Sequence, residues 1–149
     1  MISMEQIKQL REETNVSVME CKNALEEAGG DMKKALEILK EKGKAKALKK
    51  AGREAKQGLV EAYIHNNGKI GVVLELNCET DFVARNEDFK ALAHDIAMHI
   101  AAIAPKDKEE LLQQPFIKDE KQKIEDLLNG AIAKLGENIR IGEFSRLEI

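Results

Sequence analysis

The residue types able to do covalent or metal chemistry are few in this chain, and their spacing assembles nothing. Two cysteines, Cys21 and Cys78, are too few for a disulfide framework and read as reduced thiols of a cytosolic protein. Cys78 has no base beside it and reads as a small buried residue at a strand end. His94 and His99 stand five positions apart, which does not align them on one helix face, and no zinc-like ligand pattern forms around the three histidines. No nucleophile, base and orienting group come together, and no glycine-rich loop of the phosphate-gripping kind is present. The expectation is a non-enzymatic protein without metal or cofactor that does not itself bind nucleotide.

One segment does carry unusual chemistry for its position. Glu75-Leu76-Asn77-Cys78-Glu79-Thr80-Asp81-Phe82-Val83-Ala84-Arg85-Asn86 lies where a strand pattern gives way to a helix pattern. An acid and an aromatic stand side by side there, where the chain leaves a sheet. On composition alone the favoured reading is that Phe82 fills the local core and Asp81 caps the coming helix. The alternative is an exposed aromatic on a rigid turn, the usual anatomy of a binding hot spot.

The elements that would position this segment are legible in the periodicity. Val60, Ala62 and Ile64 alternate with Glu61, Tyr63 and His65, and Ile70, Val72, Leu74 and Leu76 alternate after Asn66-Asn67-Gly68-Lys69, where Asn-Gly supplies the positive φ angles of a tight hairpin turn. A helix from about Asn86 to Ile103 follows, with Phe89, Leu92, Ala93, Ile96, Ala97 and Ile100 on one stripe and Pro105 as its end. Short helices over Lys108–Gln113 and Lys118–Leu135 come next, the second stopped by Gly136. Ile139–Ile149 reads as a final strand with a bulge at Gly142.

Ahead of the hairpin, the first 43 residues read as three short helices. Ser3 with Gln6 and Ser17 with Glu20 have capping-box spacing, Asp31 starts the third helix after Gly29-Gly30, and Gly43 is its expected stop. The fold class is therefore α+β. A three-helix domain resembling the ubiquitin-associated fold spans 1–43, a basic linker 44–57, and a core of a small antiparallel three-stranded sheet with helices 58–149.

The linker holds Lys44, Lys46, Lys49, Lys50, Arg53 and Lys56 against Glu54 alone. A solvated helical connection is favoured over an electrostatic arm for RNA or an acidic partner. A net charge of -3 and a lack of stacking aromatics (no Trp, one Tyr, four Phe) argue against nucleic acid as a partner. No stretch approaches a bilayer span and no secretory signal opens the chain, so a cytoplasmic protein is expected. A three-stranded sheet leaves edges and one face to be covered, and self-association would cover them.

The run ELNCETDFVAR closely resembles the diagnostic motif of the elongation factor Ts family. Leu10-Arg11-Glu12-Glu13-Thr14 continuing to Met19 and Cys21-Lys22-Asn23-Ala24-Leu25, then Asp95 to Ala102, Gln114-Pro115-Phe116-Ile117 and Gly136-Glu137-Asn138-Ile139, are similar as well and keep the family's order. Asn15 stands where the family usually has Gly, Asp or Gln, and Asn tolerates the left-handed conformation. The helix containing AMHIAA follows TDFVAR directly, giving one core unit where long members carry two.

The resemblance implies a guanine nucleotide exchange factor for elongation factor Tu. It implies docking on the nucleotide domain of that GTPase through Leu10, Val18 and Met19; the last two follow directly after the Ser17 cap, so at least one of them should face out. Thr80, Asp81, Phe82 and Val83 would intrude beside its Mg²⁺ site, with His99 near the same surface. It also implies a homodimer formed through the core domain. Apart from the resemblance, Leu10 suits the helical interior and His99 suits a surface pair with Asp95 one turn earlier.

Overall fold

The computed structural model describes residues 1–149. The chain opens with α1 (Met4–Thr14), α2 (Val18–Glu27) and α3 (Met32–Lys50). Their starts are set by side chains that satisfy the first free amides. The Ser3 hydroxyl accepts from the Gln6 amide while Gln6 Oε1 accepts from the Ser3 amide, a complete capping box. Ser17 caps α2 and Asp31 caps α3 through the amides of Lys33 and Lys34. Asn15 ends α1 with φ 57°, taking the left-handed conformation that its side chain tolerates. Ile7, Leu10, Cys21, Ala24, Leu25, Ala35 and Leu39 close a small core between the three helices.

The expected stop at Gly43 is not observed: α3 continues to Lys50. Gly43 is buried, and a Cβ built there would lie 3.7 Å from the backbone oxygen of Asn129. Its role is therefore close approach to a later helix and not termination. Lys44–Lys50 of the expected linker are thus helical, and Ala47 packs into the second core. One helix serves both cores.

That second core is built by β1 (Gln57–Ile64), β2 (Ile70–Cys78), α4 (Asp81–Ala84), α5 (Glu87–Ile103), α6 (Lys108–Gln113), β3 (Pro115–Phe116), β4 (Asp119–Lys123), α7 (Ile124–Leu135) and β5 (Arg140–Glu148). The sheet is antiparallel in the order β1-β2-β5. At the hairpin tip only Gly68 has positive φ; no asparagine there does. The turn closes through the Gly68 amide on the His65 oxygen, with the Asn67 side chain accepting from the Lys69 amide, so it is looser than the tight turn expected. The register of β2 against β5 slips between Leu74 and Leu76, a bulge that falls where Gly142 was expected to provide one.

The pairing puts Leu59, Tyr63, Val72, Leu74, Leu76, Ile141 and Phe144 on the face that meets the helices. Phe89, Ile96 and Ile100 of α5 and Ile124, Leu128 and Ile132 of α7 complete the core. The alternating set Val60, Ala62 and Ile64 of β1 is on the other face. Val60 and Ile64 are exposed there, next to Val73 of β2 and Leu147 of β5.

The helix expected from Lys118 begins only at Ile124. Lys118–Lys123 instead turns back in a short hairpin, Phe116 opposite Asp119 and Pro115 opposite Lys123. Buried Phe116 fastens one strand of it to the core, and the Asp126 carboxylate accepts from the Lys123 amide to start α7 three residues before it. No helix is long and apolar enough to cross a membrane.

Candidate functional site

Residues Glu79–Arg85 form a corner between β2 and α5, and its helical turn has a local cause. Thr80 has extended backbone angles and its hydroxyl accepts from the Val83 amide, which starts the single turn of α4. The spacing of that turn sends Val83 and Ala84 inward, where both are buried. Phe82, the residue between Asp81 and Val83, must then point away, and it is 89% exposed. The reading in which Phe82 fills the local core is thereby excluded, as is the cap by Asp81, since Thr80 supplies it. Asp81 is also exposed and pairs with Arg85 one turn on, at 2.6 Å.

The corner is fixed from behind. Gly136 ends α7 with φ 77°, a conformation open to Gly, and the chain beyond it brings Glu137 under the corner. Glu137 Oε1 accepts from the amides of Glu79 (3.1 Å) and Thr80 (3.0 Å), and Oε2 accepts from the Thr80 hydroxyl (2.6 Å). Glu79 reciprocates: its Oε2 accepts from the Asn138 amide at 2.8 Å and lies 3.6 Å from the Arg53 guanidinium. Buried Asn138 donates its side-chain amide to the Arg53 carbonyl. The Cys78 thiol donates to the Thr80 carbonyl, and burial, with the Glu137 charge behind it, pushes that thiol up to about 11. It is a structural thiol, protonated at neutral pH. In the sequence, Glu137 and Asn138 stand out only within the family-like run Gly136-Glu137-Asn138-Ile139. The signal of their role is a contact 57 to 59 residues away along the chain, which no local pattern contains.

The other residues expected at the site divide. Val18 and Met19 open α2 and are 42% and 62% exposed. Leu10 is completely buried among the three helices, so it presents nothing to a partner. His99 is likewise completely buried. Its Nδ1 accepts from the Ile117 amide at 3.2 Å, and its Nε2 therefore donates to Gln114 Oε1 at 3.0 Å. It ties α5 to the β3–β4 hairpin and lies at no surface, while Asp95 pairs with Lys118 instead. The stripe that buries α5 carries His99 inward with Ile96 and Ile100, which overrides both readings of it. Burial lowers its affinity for a proton. No group of three or more His, Cys, Asp or Glu side chains converges as a metal site.

Fold and corner together define an α+β protein with a small helical unit bearing exposed apolar residues at one helix start, and a core holding an aromatic out from a rigid turn. Known proteins place it further. The family model described as Elongation factor TS matches residues 79–149. The chain is 46% identical to elongation factor Ts of Fervidobacterium nodosum, over 99% of this chain and 98% of that one. It is 45% identical to that of Thermotoga maritima, over 99% and 96%, and 45% identical to that of Carboxydothermus hydrogenoformans, over 100% and 89%. This chain belongs to the elongation factor Ts family, a family of translation elongation factors. The alignment with the Fervidobacterium protein runs over 193 positions against 149 residues here, so that relative carries stretches with no counterpart in this chain.

Proposed function

We propose that this protein is a guanine nucleotide exchange factor for elongation factor Tu, acting in the cytoplasm without covalent chemistry of its own. The observation that carries the reading is the outward Phe82 beside Asp81 on a turn fastened by hydrogen bonds on its inner side. A free aromatic of this kind costs solvation while unbound, and burying it in a partner recovers roughly 150–250 Å² of apolar contact. In the family the matching pair enters between two helices of the GTPase beside its Mg²⁺ site. Opening that pocket moves groups that order the metal. With Mg²⁺ displaced, the phosphate charge of GDP is less compensated and the nucleotide leaves faster. The factor then binds the nucleotide-free GTPase better than the GDP form, and by reciprocity an incoming nucleotide weakens the factor equally.

Docking belongs to the helical unit. Val18 and Met19 are the exposed apolar pair at the start of α2 and take the role that Leu10 and His99, both enclosed, do not fill. The division of labour is docking by residues 1–43, intrusion by the core 58–149, and connection by the basic stretch between, whose first part extends α3. In the same reading a second copy covers the outer sheet face.

Release of fluorescent GDP from elongation factor Tu tests the proposal. The protein accelerates release strongly, and Asp81→Ala combined with Phe82→Ala abolishes most of the acceleration while leaving the circular dichroism spectrum unchanged, since neither side chain is buried. A double variant that exchanges nucleotide as well as the parent protein removes the corner from the mechanism.

A further inference from the structure

An exposed aromatic works as an intruder only if it is held in its bound pose before the encounter. Ordering a loose turn on binding subtracts from the interaction it makes. Here the turn has no core residue at its tip: Val83 and Ala84 anchor one side of it, and Asp81 and Phe82 are exposed. On the other side the Cys78 thiol donates to the Thr80 carbonyl, and the one group that reaches both Glu79 and Thr80 is the Glu137 carboxylate. Glu137 occupies the two amides and the hydroxyl of Glu79 and Thr80, and the Thr80 hydroxyl in turn receives the Val83 amide. Hydrogen bonds to an ionised acceptor are roughly twice as strong as neutral ones. The returning bond from the Asn138 amide to Glu79 makes the clasp reciprocal, so neither strand end slides without breaking both halves.

Cys78, Val83, Ala84 and Ile139 already pack the same corner into the core, and a partly buried carboxylate carries a desolvation cost that an uncharged acceptor would avoid. We infer that Glu137 is the positioning residue of the exchange corner: by holding Glu79 and Thr80 it pre-sets the outward pose of Phe82 that intrusion requires, an inference that rests on the exchange reading above.

Glu137→Ala and Glu137→Gln separate this role from a structural one. Maximal GDP release and the half-saturating factor concentration are measured for both, with hydrogen–deuterium exchange of the peptide spanning 79–86. The alanine variant lowers the maximal rate by about tenfold, the loss expected for a charge-assisted hydrogen-bond set, at unchanged half-saturation, because docking through Val18 and Met19 is untouched. Its Glu79–Val83 amides exchange faster. The glutamine variant, which keeps a carbonyl oxygen for the two amides, retains most of the rate. An alanine variant that reaches the parent's maximal rate with its amides exposed overturns the inference. So do two variants that lose rate equally alongside a fall in melting temperature. If the parent protein leaves GDP release unaltered, the exchange reading fails instead, and unchanged deuterium uptake in Glu137→Ala would still overturn the brace on its own.

Discussion

At the residue scale, His99 is a polar side chain of the core that the sequence could name but not place. His99 has a type and position that suggest surface work, yet it sits fully enclosed, neutral, with both ring nitrogens engaged by Gln114 and Ile117. Protonation would turn Nδ1 from acceptor into donor and face it against the Ile117 amide. Desolvation, the main cause, lowers the folded-state proton affinity below the ordinary value near 6.5. The unfolded chain therefore binds the proton first as pH falls. The stabilising effect of a neutral His99 is complete above the unfolded value and is lost progressively below it, down to the folded value. One such group contributes a slope of at most about 1.4 kcal/mol per pH unit. Denaturant melts between pH 8 and 5 should show stability falling from about pH 6.5, and His99→Gln, which can still accept from Ile117 and donate to Gln114, should flatten that part of the curve. An unchanged slope in the variant would assign the acid sensitivity elsewhere.

At the element scale, the features set by neighbours in sequence were readable and those set by distant packing were not. Caps at Ser3, Ser17 and Asp31, the left-handed Asn15 and the slip of β2 against β5 near Gly142 depend on a few adjacent residues, and the structure agrees with each. Gly43 misled because a glycine after a helical run is usually a stop; only the arrival of α7 shows why it is small. Lys118–Lys123 misled because its lysines and glutamate favour helix, while buried Phe116 dictates a hairpin. Likewise, nothing local decides whether Phe82 or its neighbours face inward; that follows from how α4 sits on the sheet. The α3–α7 contact makes a signed prediction. A Cβ at residue 43 would meet Asn129 at 3.7 Å, ordinary contact distance. Gly43→Ala should therefore stabilise the protein by about 0.5–1 kcal/mol through helix propensity. Gly43→Leu should destabilise it by about 1–3 kcal/mol by forcing the helices apart. Urea midpoints that move in the same direction for both would show that the helices are not in close contact there.

At the scale of the whole molecule, the unfinished part is the sheet. One face is covered by α5 and, at its end, α4, while the other presents Val60 and Ile64 on β1, Val73 on β2 and Leu147 on β5, all exposed. Exposed apolar residues aligned across three strands form a contiguous patch of the kind that monomers rarely keep in water. A second copy is the natural cover, because a two-fold axis sets the same patch against itself and lets two sheets stack about 10 Å apart. The corner with Phe82 lies at the end of β2 beyond Cys78, outside that patch, so self-association would leave it uncovered on each copy. Val73 is on the central strand, opposite Ala62 and Ser145. Val73→Lys would bury an unpaired charge in the middle of such an interface and weaken it by more than about a hundredfold, while the monomer, which already exposes this position, keeps its fold. Light scattering at micromolar concentration should give twice the chain mass for the parent and the chain mass for the variant. Because each monomer carries a complete corner, exchange per chain should be nearly unchanged in the variant. A parent that scatters as a monomer would refute self-association through the sheet, and a variant that loses exchange together with dimerisation would show that the partner copy contributes to the site.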